Sequence, residues 1–191
     1  MPNALQIDGK TYPIRTDFRA GIEYQTMAAA GKLTAANLYE IWFTGPLPED
    51  VEAAAEGIQR FYRRKDEPQT ENTGPSGPIP YDFTVDADVI TAAFMREYGI
   101  DLTDPETTMH WWRFMALLEG LYTYGFSDRV GFRTADLSGL DAKARGRLLK
   151  KRGQFAILHS ETTEDHLAQL DDIIAKHGGG TDGGRESSNQ N

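Results

Sequence analysis

No cysteine occurs in the 191 residues, which excludes disulfides, thiolate metal ligands and a cysteine nucleophile. Long apolar runs are missing too: no stretch approaches the roughly 20 residues that a helix needs to cross a bilayer. The opening Met-Pro-Asn-Ala-Leu-Gln-Ile-Asp has neither the basic start nor the apolar centre of a secretory leader, so the expected location is a cytoplasm. Cations are in deficit, with 20 Lys and Arg against 29 Asp and Glu. The resulting net charge of −9 argues against nucleic-acid binding, which needs a cationic surplus on the binding face. No Gly-x-x-x-x-Gly-Lys-Ser/Thr loop is present to cradle a phosphate.

The residues that could do chemistry are scattered. His110, His159, His166 and His177 stand in no metal-binding or catalytic spacing. His177-Gly178-Gly179-Gly180 copies an oxyanion-hole tetrapeptide, but no Gly-x-Ser-x-Gly elbow accompanies it. Asp86-Ala87-Asp88 has the form of a metal-binding pair, yet both carboxylates fall in the first turn of a predicted helix. Free N–H groups and the positive end of the dipole make capping their expected role there. The expectation is a non-enzymatic protein with no cofactor and no metal.

What is present reads as a mainly α chain, a helical domain with a small N-terminal β-hairpin. Leu5, Ile7, Tyr12 and Ile14 alternate with polar residues around Asp8-Gly9, a dipeptide suited to a two-residue type I′ turn. Pro13 cannot donate to a ladder, so its strand belongs at an edge. Asp17 caps a helix carrying Phe18, Ile22 and Met27 and ending at Gly31, and Thr34 caps a second with Leu33 and Leu38 as a hydrophobic staple. A third follows Pro48, with Val51, Ala54, Ala55, Ile58, Phe61 and Tyr62 on one side. These elements make up residues 1–65. Residues 66–80, rich in Pro and Gly, form a solvated loop that is either a domain boundary or an excursion within one helical domain.

Residues 81–158 hold an aromatic helix pair and a basic helix. The first of the pair runs from the cap Asp86 to Gly99, with Val89, Ile90, Ala93, Phe94 and Tyr98 at helical spacing. The second starts at Asp104-Pro105 and carries Trp111, Phe114, Met115, Leu118, Leu121 and Tyr122 on one face. Phe126, Val130 and Phe132 read as core side chains on an irregular connection. Leu137, Leu140, Ala144, Leu148 and Leu149 mark the basic helix, its end packed by Phe155 and Ile157. Residues 159–177 read as a terminal helix and 178–191 as a disordered tail.

Three stretches are candidates for binding. Trp111, Trp112, Phe114, Met115 and Leu118 either fill a core or line a groove for amphipathic helices, because Met and aromatic surfaces repack around varied side chains. Adjacent helical residues point about 100° apart, which sets Trp111 on the core stripe and Trp112 toward a partner. Lys143, Arg147, Lys150 and Lys151, with Arg145 and Arg152, crowd one helix that is either a solvated face balancing an acidic chain or a dock for an acidic partner. Leu167, Leu170, Ile173 and Ile174 form a stripe suited to self-association.

The run Tyr81-Asp82-Phe83, Asp86-Ala87-Asp88, Ala93-Phe94 and Tyr98-Gly99-Ile100-Asp101-Leu102, followed by His110-Trp111-Trp112-Arg113-Phe114 and Leu117-Leu118-Glu119-Gly120-Leu121, resembles the bacteriophage family named for gene product fifteen. The resemblance covers most of Leu5 to Leu158. It implies a tail assembly chaperone of long-tailed phages, active in the host cytoplasm, which binds and solubilises the tape measure protein until tail tube protein subunits replace it. The expected partners are those two proteins and further copies of this chain, with no nucleic acid and no membrane. The alternative it leaves open is a structural tail or connector component of the virion.

Overall fold

The computed structural model describes residues 1–64 and 80–157. Two short strands, β1 (Ala4–Ile7) and β2 (Lys10–Pro13), pair antiparallel with Leu5 opposite Tyr12 and Ile7 opposite Lys10. The turn between them places Asp8 at φ 50° and Gly9 at φ 73°, as a type I′ turn requires. Pro13 is on the outer edge, where its carbonyl accepts the Thr44 N–H at 3.4 Å.

Seven helices follow among the described residues: α1 (Phe18–Ala29), α2 (Ala35–Trp42), α3 (Val51–Tyr62), α4 (Ala87–Tyr98), α5 (Trp111–Glu119), α6 (Phe126–Thr134) and α7 (Ala142–Gln154). The protein is thus mainly α with an N-terminal hairpin. Local chemistry sets many of the starts. Asp17 accepts the Arg19 N–H, Thr34 and Asn37 close a reciprocal capping box, and Asp50 accepts the Ala53 N–H.

One core joins the residues on both sides of the Pro/Gly-rich segment. Trp111 of α5 stacks on Tyr62 at the end of α3, with ring centroids 5.1 Å apart and planes 17° apart. Phe114 stacks in turn on Phe94 of α4 at 5.2 Å and on Phe18 of α1 at 5.0 Å. Gly21 makes this approach possible, because a Cβ there would stand 2.3 Å from Trp111 Cε3.

Three local expectations are corrected. The second aromatic helix starts at Trp111 rather than at Asp104-Pro105, and His110 caps it by accepting the Trp112 N–H at 3.1 Å. Asp104 instead closes a turn onto the Glu106 N–H at 2.9 Å, and Arg19 of α1 takes the carbonyls of Asp104 and Thr107. Tertiary bonds complete the register, with Trp111 N–H donating to Thr16 and Phe18 N–H to Met109. Phe126 to Phe132 is not an irregular connection but part of α6. Gly125, at φ 102°, turns the chain so that the helix can begin with Phe126 buried. Asp86 occupies the N-cap position of α4, yet its side chain caps nothing.

Candidate interaction site

The two stretches expected to bind a partner sit in contrasting surroundings. Trp111, Phe114 and Leu118 are inside the core, each at most 2% exposed, so they hold α1, α3, α4 and α5 together. Trp112 and Met115 are half-buried against that core. Trp112 donates its indole N–H to the Phe61 carbonyl at 2.8 Å and forms one wall of a cleft of about 310 Å³ that also touches Leu5, Gly57 and Arg60. Tyr122, expected on the same apolar face, lies past the end of α5 and is 86% exposed. Leu167, Leu170, Ile173 and Ile174 lie outside the described residues.

The basic stretch forms α7, which Asp141 caps by accepting the Ala144 N–H at 2.8 Å. None of its residues is buried, and Leu149, one of the leucines that mark the helix in the sequence, is 47% exposed. Lys143, Arg147, Lys150 and Lys151 all face solvent. From Ala142 to Gln154 the helix carries six cations and no carboxylate. Lys143, Arg147 and Lys151 repeat at four-residue spacing, so like charges sit side by side and oppose the helix by about 0.2–0.5 kcal/mol per pair.

Such a helix needs outside support, and α6 supplies it. Phe155 stacks on Phe132 at 5.8 Å with planes 8° apart. Arg152 donates to the carbonyls of Phe132 and Ala135 at the C-terminal end of α6, where a cation also meets the negative pole of the dipole. Lys151 lies 5.8 Å from the Phe132 ring. In return Arg133 of α6 donates Nε–H to the Phe155 carbonyl at 2.5 Å.

Arg133 is itself 3% exposed, and its charge is met by the fully buried Asp86. Its two terminal nitrogens engage the Asp86 carboxylate at 2.5 and 3.0 Å, and one also reaches the Pro80 carbonyl. Arg129, one turn earlier on α6, adds a bond to Asp86 at 3.0 Å, and the Asp82 N–H a fourth at 3.0 Å. Burial alone would push the Asp86 carboxyl up. The hydrogen bonds from Arg133, the Asp82 N–H and Arg129 outweigh that and hold it below its ordinary value. Asp86 is therefore the anchor that sets α6 on α4 and, through Arg133 and Arg152, α7 on α6.

This cluster escaped the reading of the sequence, which gave Asp86 a local capping role. The available signal was the four-residue spacing of Arg129 and Arg133, which puts two guanidinium groups on one helical face with Phe126 and Val130 close by. Among the described residues no group of three or more His, Asp or Glu is placed to hold a metal, and no helix is long and apolar enough to cross a membrane.

A family model described as bacteriophage Gp15 protein matches residues 1–157. No curated protein matches, and neither does any solved structure.

Proposed function

We propose a binding role, from the premise that this chain belongs to the bacteriophage Gp15 protein family. It acts as a tail assembly chaperone in the cytoplasm of the infected host, without catalysis. It holds the tape measure protein in solution during tail morphogenesis and gives way to tail tube protein subunits. The observation that carries this reading is α7, a helix that buries none of its residues and presents six cations on an otherwise acidic chain.

Exposed charge pairs are individually worth only about 0–1 kcal/mol, so a single copy would hold a partner weakly. Many copies along one long polypeptide would hold it firmly by avidity while each contact remained replaceable. Lys143, Arg147, Lys150 and Lys151 supply the charge in this account, and the half-exposed Trp112 and Met115 supply apolar surface.

The test is co-expression with the product of a very long helical reading frame downstream of this gene. That product is expected to stay soluble with the wild-type chain and to precipitate with the K143E/R147E/K150E/K151E variant. Circular dichroism should show the variant folded, because none of the four side chains is buried. Equal solubility with both chains would sink the charged-face account. Abundant copies in purified virions would favour the structural tail component instead.

A further inference from the structure

The face of α7 turned away from α6 has no cover among the described residues. Leu140 and Leu149 are exposed, and nothing lies within 4 Å of where a Cβ would stand on Gly146 or Gly153. At 100° per residue, Lys143 and Lys150 flank the Gly146–Leu149 face on one side and Arg145 on the other. The chain beyond residue 157 lies outside the description, and its sequence carries the complement of this face. Residues 161–176 contain Glu161, Glu164, Asp165, Asp171 and Asp172 against one cation, Lys176. Leu167, Leu170 and Ile174 recur at helical spacing, and at 100° per residue Glu164 and Asp171 border that stripe on one side.

We propose that residues 161–176 of this chain fold back antiparallel on α7. Leu167, Leu170 and Ile174 cover Leu149 and Gly146, and the carboxylates of Glu164 and Asp171 lie beside Lys150 and Lys143. Residues 155–160 are long enough for such a reversal, since helix–helix connections commonly take about 2–8 residues. The antiparallel direction sets Glu164 near Lys150 and Asp171 near Lys143. Two helical turns of like charge on α7 thereby gain counter-charges. The occupant is the chain's own segment rather than a second copy, because a short tether gives an effective concentration on the order of millimolar. An acidic partner reaching α7 would first have to displace it.

Full-length protein, dilute and at low salt, is treated with a zero-length carbodiimide cross-linker and mapped by mass spectrometry. Lys150 should be joined to Glu164, and Lys143 to Asp171, in the monomer band. These links should be lost near 1 M salt, where the screening length falls to about 3 Å. Amide exchange over 161–176 should also be roughly tenfold slower than in the L167D/I174D variant, as expected of a docked segment. The contact is overturned if the monomer band lacks these links, if they occur only in a covalent dimer, or if exchange is equal in the two proteins. No tape measure protein is present in this experiment, so its outcome is independent of the function proposed above.

Discussion

The described residues up to Leu121 are held by buried rings; α6 and α7 are attached chiefly through buried and bridging charges, with one ring stack, Phe132 on Phe155, between them. In the first region Tyr62, Trp111, Phe114, Phe94 and Phe18 form a continuous stack across four helices. In the second, α7 buries nothing, and α6 buries Phe126 and an arginine. Packing of the first kind spreads over many contacts and is lost as a unit when a ring goes. A buried carboxylate shared by two guanidinium groups concentrates the attachment at one residue. The face that would meet a partner is thus mounted on a separable anchor and lies outside the core.

The comparison can be broken most forcefully at Trp111. Trp111→Ala empties a site with no solvent exposure, and a loss of about 3–5 kcal/mol is expected, seen as a cooperative fall in the urea midpoint and in the near-ultraviolet dichroism. Asp86→Ala leaves Arg133 buried without a counter-charge, at a cost of about 3 kcal/mol or more. Its signature should differ in kind: amide exchange rises first over α6 and α7 while the ring stack keeps its near-ultraviolet signal.

Acid should reproduce part of that second effect. The Asp86 carboxyl is depressed in the folded state, so its contribution is complete above the unfolded-chain value of about 4 and is lost as pH falls through the lower folded value. A urea-midpoint series against pH should fall more steeply below about 4 for the wild type than for Asp86→Asn. The same slope in both proteins would remove Asp86 from the account. Trp112→Phe sharpens the comparison at the smallest scale. It deletes the bond to the Phe61 carbonyl but keeps a ring beside the cleft, and about 1 kcal/mol should be lost with no change in exchange over α7.

Much of the fold was legible because its determinants are close together in the chain. The hairpin turn at Asp8-Gly9, the caps Asp17 and Thr34, and the periodic faces of α1 to α4 need only neighbours within a few residues. The candidate site was legible in composition alone: six cations on one helix can be counted, but whether its leucines are covered cannot. The start of α5 was misplaced because Asp104 and Pro105 suit a helix end equally well as a turn. Arg19, 85 residues away from Asp104, chose the turn.

The sequence by itself determined the class of this protein: helices with a hairpin, no disulfide chemistry, an acidic chain with one basic helix, and a match to a phage family. Only the tertiary structure decided that Asp86 is an anchor rather than a cap, that Trp111 is core while Trp112 reaches solvent, and that α7 stands uncovered among the described residues. Periodicity and capping follow from geometry within one or two turns of backbone. The Asp86 pairs join residues 43 and 47 positions apart, and a carboxylate loses its solvent only when distant helices close over it.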